Sequence, residues 1–471
     1  MAAHMNPERV DLIVVGSGQG GVPLAVDFAK SGKRVVLFER SSFGGTCINT
    51  GCTPSKAFLA AAHNAGRARR ARDVGVFAEV RASGSDALAR ARRIRDGWRL
   101  GVERRLAESG VEIVRAEAAF SAERTLTGGG RVVTAPHVVI DTGAAPVAPG
   151  IPGLAGVRYL TSDSFFDQES LPERLLIVGA GYIGLELGQG AQRLGSSVTI
   201  VHSHDRILER EEPEAAAAVR RSLERDGVRF VFDASIREVR PCDGAIEVEL
   251  ADGTTLEGDG LLVAAGRAPN SAALEPDAGG VACRPGGYIA VDECLRTTSP
   301  GVFAIGDVAA QPAFTHVSWE DYRRVKSTIE GTPRRRDDRV LSYSTFTEPQ
   351  LARTGFTERE AQTHGIAAKT VTLATADIAR GAEWELTEGS YRLVVDAATE
   401  KSSAPRSSAT KRARSSTRSR SRFTWARRGA ISKRSSGSIR PSVKGFPLSR
   451  GSYYSDLCSA AYARVNASRI G

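Results

Sequence analysis

Two glycine-rich turns, each between a short apolar strand and a helix, constrain the fold of this 471-residue chain most strongly. In the first, an apolar run at residues 11–15 is followed by Gly16, Gly18 and Gly21, and the next predicted strand ends at Glu39. This glycine spacing permits a tight turn and lets the backbone approach a pyrophosphate, while a carboxylate at the strand end can accept hydrogen bonds from ribose hydroxyls. The first unit is therefore predicted to bind a dinucleotide.

A second strand–turn–helix–strand unit begins near residue 175. The glycines of its turn are Gly179, Gly181 and Gly184. No acid ends its second strand, and His202 and Arg206 occupy that corner instead. The absence of a carboxylate, with an arginine nearby, leaves room for a 2′-phosphate, so the unit favours NADPH over NADH. The alternative interpretation is that these are ordinary surface residues.

Two cysteines, Cys47 and Cys52, stand five residues apart between the two glycine motifs and are followed by Lys56. On the first turns of a helix such thiols can form a disulfide, and the helix N-terminus lowers their pKa toward the reactive thiolate. Two buried free cysteines are the alternative interpretation. A cysteine pair between two Rossmann units favours redox chemistry with a tightly held flavin and a diffusible nicotinamide.

Length and composition predict a soluble protein of about three domains. No apolar run reaches the ~20 residues needed to cross a bilayer, and the first ten residues lack an apolar signal-peptide core. Six cysteines in 471 residues do not form a disulfide scaffold, so we expect a reducing, cytoplasmic location and no membrane contact. No metal-ligating cluster is predicted.

The basic charge of the chain is confined to its carboxyl-terminal end. The net charge is +10, yet from Lys401 onward there are 17 basic residues, 18 serines and one acid, Asp456. Residues 1–400 carry 47 basic and 53 acidic side chains, and are therefore mildly acidic.

Taken in order, these motifs resemble the flavin-dependent pyridine nucleotide–disulfide oxidoreductases, and most closely the mercuric reductase branch. The segments that carry the resemblance are GGTCINTGCTPSK at 44–56, AFTHVSWEDY at 313–322 and YSTFTEPQ at 343–350. The resemblance covers residues 8–400. It implies an α/β fold with two Rossmann-like domains, for FAD and for NADPH or NADH, and an α+β dimerisation domain that is truncated here. It also implies a small-molecule substrate and a homodimer.

The resemblance further implies how the chain is divided. The expected parts are a first FAD-binding part at 1–150, an NAD(P)-binding domain at 151–273, a returning FAD-binding part at 274–335, the start of the interface domain at 336–401, and a basic tail at 402–471.

Roles for individual residues follow from the same resemblance. Cys52 would face the flavin and form the charge-transfer thiolate, and Cys47 would exchange with substrate. Lys56 would lie near the flavin and pair with Glu186. The implied FAD contacts are Gly16, Gly18, Gly21, Glu39, Lys56, Thr142, Gly143 and Asp307. The implied nicotinamide contacts are Gly179, Gly181 and Gly184, together with His202 and Arg206. Further implied cofactor contacts are Gly45, Thr46, Gly266, Arg267 and Gly306.

The family pattern breaks at residue 402, where a segment resembling Ile-Leu-Gly-Ala is expected and Ser402–Pro405 stand instead. The family's carboxyl-terminal histidine, which reaches the outer thiol of the partner subunit, is missing, because no histidine follows His364. One interpretation is a genuine basic tail that binds nucleic acid. We favour a shifted reading frame, since removing one base from codons for Ile-Leu-Gly-Ala yields Ser-Ser-Ala-Pro. Nucleic acid binding is then not expected.

A tail of this composition should remain disordered and leave apolar surface exposed around 341–400, which makes the homodimer doubtful. Three functions remain open. They are a flavin disulfide or metal-thiolate reductase impaired by the missing histidine, a diaphorase that reduces quinones, dyes or oxygen without the thiols, and a non-enzymatic binder acting through the tail.

Overall fold

The structure, a computed structural model, describes residues 6–397 apart from the side chain of residue 338. The tail at 402–471, with the predictions of its disorder and of a shifted frame, lies outside the described residues.

The strands and helices are numbered along the chain. The strands are β1 (Glu8–Arg9), β2 (Leu12–Val15), β3 (Val35–Phe38), β4 (Glu112–Val114), β5 (Ala119–Ala122), β6 (Thr125–Gly128), β7 (Arg131–Thr134), β8 (His137–Ile140), β9 (Ala144–Pro146), β10 (Arg174–Val178), β11 (Ser197–Val201), β12 (Arg229–Val231), β13 (Ile236–Cys242), β14 (Ala245–Leu250), β15 (Thr255–Gly258), β16 (Gly260–Val263), β17 (Arg267–Pro269), β18 (Val302–Ala304), β19 (Ser342–Thr345), β20 (Leu351–Thr354), β21 (Ala368–Ala374) and β22 (Ser390–Asp396). The helices are α1 (Gly21–Lys30), α2 (Gly45–Asn49), α3 (Cys52–Arg70), α4 (Gly84–Glu108), α5 (Tyr182–Arg193), α6 (Pro213–Arg225), α7 (Thr315–Ile329), α8 (Glu358–Thr363) and α9 (Ala379–Glu383).

The first unit is built on a parallel sheet with the order β4-β3-β2-β8-β18. Every residue of β2 and β3 is buried, because parallel strands in such folds are covered on both faces. If these five strands are numbered by their order along the chain, they lie in the sheet as 3-2-1-4-5, the arrangement of a dinucleotide-binding fold. The glycine turn after β2 therefore lies at the carboxyl edge of the central strand.

The second unit repeats this arrangement with the parallel sheet β12-β11-β10-β16. An antiparallel sheet, β13-β14-β15, is inserted between its third and fourth strands. The predicted α/β fold with two Rossmann-like units is confirmed.

Helix α3 connects the two units. Phe58 of α3 packs edge-on against Phe165, with ring centroids 5.5 Å apart. In the second unit, α3 packs against helix α5. A Cβ at Gly190 of α5 would come within 2.5 Å of the Phe58 ring, so glycine allows the two helices to approach closely. This contact holds the first half of α3 against the second half of α5.

Residues 341–397 form two antiparallel hairpins, β19–β20 and β21–β22, with α8 and α9. One face of the second hairpin carries Val371, Leu373, Tyr391 and Leu393, each between 47% and 61% exposed. The expected exposed apolar surface around 341–400 is thus present. Among the described residues, no helix is both long and apolar enough to cross a membrane.

Candidate active site

The two cysteines lie on consecutive helices. Cys47 is in the short helix α2, and Cys52 is the first residue of α3. Thr50 and Gly51 interrupt the helix between them, so the prediction that both stand on the first turns of one helix is wrong in this detail. Both cysteines are free thiols, as in the reduced form of the predicted pair.

Thr315 links the two sulfurs, and sequence reasoning did not identify it. Its hydroxyl lies 3.1 Å from the Cys52 Sγ and 3.2 Å from the Cys47 Sγ. It is the first residue of α7, although it is 263 positions from Cys52 in sequence. The segment 313–322 was singled out for its resemblance, but nothing in it indicated which side chain reaches the thiols.

The two thiols have opposite acidities. A hydrogen bond from Cys47, the charge of Lys56 and the Thr315 hydroxyl lower the pKa of Cys52 to about 6. The same hydrogen bond to Cys52, together with burial, raises the pKa of Cys47 well above its ordinary value. The expectation that a helix N-terminus lowers both pKa values is therefore wrong for Cys47. At neutral pH the pair is a Cys52 thiolate that accepts a hydrogen bond from a Cys47 thiol.

Access to the two sulfurs also differs. Cys52 is solvent-accessible although it lies deep in the fold, whereas Cys47 is half-buried. An open space therefore adjoins the more acidic thiol, on the side where the resemblance places the flavin.

The structure brings the predicted partners Lys56 and Glu186 together. The Lys56 Nζ lies 2.8 Å from Glu186 Oε2, and the Glu186 side chain is only 5% exposed. Phe346 secures the pair, because its N–H donates to Glu186 Oε1 at 2.9 Å and its ring centroid lies 4.2 Å from Lys56 Nζ. Phe346 was not predicted either.

A buried ionic cluster holds the segment that carries Phe346. Glu348 accepts from the buried Arg193 at 2.5 Å and from Arg67 at 2.7 Å, and Arg193 also donates to Asp226 at 2.7 Å. Burial alone would raise the pKa of Glu348, but these guanidinium groups outweigh it and hold that pKa at about 2. Three distant parts of the sequence thus meet beside the Lys56–Glu186 pair.

The first glycine turn forms a close-packed cradle. Gly16 has φ +97°, and a Cβ there would collide with the backbone of Asp141. The Gly21 N–H donates to Asp141 Oδ2 at 2.6 Å, and burial raises the pKa of that carboxyl well above its usual range. Gly18 also lies against this carboxylate, which leaves no room for a side chain.

The predicted ribose acceptor, Glu39, stands directly after β3 and is already engaged. It accepts from the Ser17 N–H at 3.0 Å and from the Ser17 hydroxyl at 2.6 Å. The Ser41 N–H donates to its other oxygen at 2.8 Å. These bonds fix the carboxylate at the carboxyl edge of the sheet.

Further observations fit a flavin dinucleotide at this edge. The Thr142 hydroxyl is buried and has no hydrogen-bond partner among the described residues. Open space lies beside Gly143. Burial raises the pKa of Asp307, and a carboxyl group of this kind can hydrogen-bond to the hydroxyls of a sugar alcohol. Gly45 approaches the first turn so closely that a Cβ would come within 2.9 Å of Gly18.

Arg267 lies between the two units. Its guanidinium donates to the carbonyl oxygen of Ala144 and, at 3.3 Å, to the Thr46 hydroxyl. Its charge also lowers the pKa of Asp307 against the effect of burial. Gly306 precedes that acid with φ +66° and donates its N–H to Asp321 at 3.0 Å.

The second glycine turn forms a similar cradle after β10. Gly179 has φ +106°, and a Cβ there would come within 2.6 Å of the Ala264 carbonyl oxygen. Gly184 would meet the carbonyl of Gly179, whereas open space lies beside Gly181 and Gly266. This turn fits a second dinucleotide.

The corner after β11 differs from the sequence-based expectation. Arg206 donates to the carbonyl oxygens of Glu209 at 2.6 Å and Glu211 at 3.5 Å, so its guanidinium stabilises the backbone of this loop. The Glu209 carboxylate lies 2.9 Å from His202 Nε2. The corner therefore does contain a carboxylate, supplied from seven residues further along the chain, and the preference for NADPH stays a prediction.

Sequence comparison identifies the family. The family described as pyridine nucleotide-disulphide oxidoreductase matches residues 10–321, and its dimerisation domain matches residues 341–402. The chain belongs to this family. Its members are FAD-dependent enzymes that take electrons from NAD(P)H. The dimerisation match ends where the sequence departs from the expected pattern.

Curated relatives of this oxidoreductase include several mercuric reductases. That of Streptomyces lividans is 37% identical, over 83% of this chain and 85% of the relative. That of Staphylococcus aureus is 32% identical, over 83% and 73%. The chain spans only 63% of the Bacillus cereus mercuric reductase, to which it is 34% identical.

Solved structures share the fold. The HOCl-induced flavoprotein disulfide reductase RclA from Escherichia coli has a TM-score of 0.76 and 32% identity, covering 83% of this chain and 88% of RclA. A Cu(II) complex of RclA gives the same TM-score at 30% identity. LpdA from Mycobacterium tuberculosis has a TM-score of 0.74 and 27% identity, covering 83% and 88%.

Proposed function

We propose that this oxidoreductase passes electrons from NAD(P)H through FAD to the Cys47–Cys52 disulfide and from there to a thiol-reactive substrate. The observation that carries the proposal is the pair of thiols of opposite acidity that share the Thr315 hydroxyl. A structural cysteine pair would not need one sulfur to be a thiolate at neutral pH.

The FAD would be held by the first glycine turn, Glu39 and Asp307, and the nicotinamide dinucleotide by the second turn. When bound, FAD supplies a hydride acceptor for NAD(P)H and a donor of the electron pair that opens the disulfide. Lys56, anchored by Glu186 and Phe346, provides a fixed positive charge at the start of α3. Such a charge stabilises negative charge that develops next to it.

Reduction breaks the S–S bond, and the two sulfurs take up the electron pair and one proton. The proton rests on Cys47, whose pKa is raised, and the negative charge rests on Cys52, whose pKa is about 6. Cys47 must lose this proton before it can attack a disulfide substrate, because the thiolate is the nucleophile. In this chain no histidine follows His364 to accept that proton.

A thiophilic metal ion avoids this requirement, since metal coordination deprotonates a thiol directly. Two neighbouring thiols also suit a soft cation, because soft cations prefer sulfur ligands. We therefore favour a metal ion such as Hg(II) over a disulfide as the substrate. The names of the mercuric reductase relatives and the Cu(II) complex of RclA support this class.

The test is NADPH oxidation by the FAD-loaded protein with Hg(II), with a small disulfide or with a quinone as acceptor. Cys47→Ser and Cys52→Ser should each lower Hg(II) reduction by at least 100-fold. Cys283→Ser, which changes an exposed cysteine elsewhere, should not. Quinone reduction should survive all three changes. If Hg(II) reduction survives Cys47→Ser, the enzyme is a thiol-independent diaphorase and the proposal fails.

A further inference from the structure

We propose that His202, His204 and Glu209 form a binding site for one divalent cation of the Zn²⁺ class. The three side chains lie at the corner after β11 in the second Rossmann unit. The sequence analysis predicted no metal ligands, although Glu209 follows His202 by only seven residues. The fold assembles the cluster, and the catalytic proposal makes no use of it.

The distances within the cluster suit a tetrahedral cation. One Glu209 oxygen lies 2.9 Å from His202 Nε2 and 3.2 Å from His204 Nδ1. All three potential ligand atoms lie within 4.8 Å of one another. Ligand atoms around tetrahedral zinc, at bonds of about 2.0–2.1 Å, are about 3.4 Å apart. Small side-chain shifts would therefore place a cation between these atoms.

The ligand set matches the same class of cation. Two imidazoles and one carboxylate are common ligands of zinc. The side chains of His204 and Glu209 are 58% and 41% exposed, so a cation can enter from solvent and keep water as a further ligand. His202 is 11% exposed and anchors the cluster to the protein.

The backbone holds Glu209 in position for this purpose. Leu208, the residue before it, has φ +48°, a left-handed conformation that is unfavourable for leucine. The Arg206 guanidinium fixes the Glu209 carbonyl, and the Glu211 N–H donates to the Leu208 carbonyl at 2.8 Å. The turn thereby directs the Glu209 side chain back toward the histidines.

The site is connected to the second glycine turn. His202 Nδ1 accepts a long hydrogen bond, 3.4 Å, from the Ala180 N–H, between Gly179 and Gly181. A neutral histidine that binds a cation through Nε2 carries its proton on Nδ1 and can no longer accept this bond. The cation would also occupy the Glu209 carboxylate at the corner proposed for the nucleotide ribose. We therefore expect the cation and NAD(P)H to weaken each other's binding reciprocally.

The first experiment is calorimetric titration of the FAD-loaded, disulfide-oxidised full chain with ZnCl₂. We expect one Zn²⁺ with micromolar affinity. His204→Gln and Glu209→Gln should each weaken it at least 10-fold, and His364→Gln, a change at another exposed histidine, should leave it unaltered. Equal affinity in all variants, or no wild-type binding below millimolar Zn²⁺, would overturn the proposal. With Co²⁺ as the probe, a thiolate charge-transfer band would overturn it too, because the cysteines would then be the ligands.

The second experiment repeats the Zn²⁺ titration in saturating NADP⁺, which would occupy the nucleotide site without reducing the disulfide, and the affinity should fall at least 10-fold. An unchanged affinity would overturn the overlap with the nucleotide corner. This expectation rests on the proposed NAD(P)H position, whereas Zn²⁺ binding itself does not. If the protein does not reduce Hg(II), but His204→Gln still weakens Zn²⁺ binding, only the proposed substrate is refuted and the cation site stands.

Discussion

The hydrogen bond between Cys47 and Cys52 makes the redox pair asymmetric, and Thr315 is the one hydroxyl within hydrogen-bond distance of both sulfurs among the described residues. Cys52 titrates with a pKa of about 6, below that of an ordinary thiol. Its thiolate therefore persists at neutral pH and disappears as the pH falls through about 6. Cys47, Lys56 and Thr315 each lower this pKa, so mutation of each residue should measure its separate contribution.

We expect Thr315→Val to raise the pKa of Cys52 by about one unit, because a hydrogen bond to a charged group contributes about 1.5 kcal/mol. The pH dependence of alkylation of Cys52 in the reduced protein measures this shift. Thr363→Val, at an exposed threonine of α8, is the control and should leave the profile unchanged. An unaltered midpoint in Thr315→Val would show that the hydroxyl does not stabilise the thiolate.

At the scale of elements, α3 unites the redox chemistry with the packing of the second unit. Its first residue is Cys52, and its second turn carries Lys56. Near its end, Arg67 and Arg70 donate hydrogen bonds to Glu348. The Glu348 segment in turn supplies the Phe346 N–H to Glu186. The ionic cluster is therefore expected to position Lys56 indirectly, through Phe346.

We expect Glu348→Gln to reduce the free energy of unfolding by about 3 kcal/mol, because removal of one partner leaves the buried Arg193 incompletely paired. Denaturant titration measures this loss. Glu117→Gln, in an exposed pair with Arg40, is the control and should change stability little.

The Glu348 carboxylate also predicts that the free energy of unfolding depends on pH. Its pKa is lowered to about 2 in the fold, so its contribution is present above the ordinary glutamate pKa and is lost as the pH falls toward 2. Equal acid sensitivity of the wild type and Glu348→Gln between pH 5 and pH 2 would contradict this assignment.

At the scale of the whole molecule, the hairpin β21–β22 presents an apolar face within the part matched by the family's dimerisation domain. We expect weak, concentration-dependent association through this face. The double change Val371→Lys with Leu393→Glu should abolish it, because these residues pair across the hairpin and opposite charges preserve that pairing. Sedimentation analysis measures the association. Phe77→Lys, at an exposed residue of another loop, should not alter it. A stable dimer that resists the double change would locate the interface elsewhere.

We also expect slow turnover with a disulfide substrate, although NADPH should still reduce the bound flavin. The raised pKa of Cys47 calls for a base, and no histidine follows His364 in this sequence, where the family resemblance implies one. Stopped-flow flavin reduction and steady-state disulfide turnover, measured on one preparation, separate the two steps. Rapid disulfide turnover would contradict this expectation, and so would turnover that matches the flavin-reduction rate.

Local pattern was sufficient to predict the two Rossmann units. A buried apolar strand, a glycine turn and a helix are specified by neighbouring residues, and β2 with Gly16, or β10 with Gly179, shows this twice. The same locality identified Cys47, Cys52 and Lys56, since their spacing along one segment is meaningful without the rest of the chain. Glu186 was predicted only through the family resemblance.

Tertiary structure alone decided which remote groups surround these residues. Thr315 reaches the thiols from α7, and Phe346 reaches Lys56 from beyond β19. Hydrogen bonds and charges act over a few ångströms in space, irrespective of separation along the chain. The motif and the family resemblance therefore predicted a thiol pair with Cys52 as the thiolate, whereas the fold determined which remote groups lower the pKa of Cys52 and position Lys56.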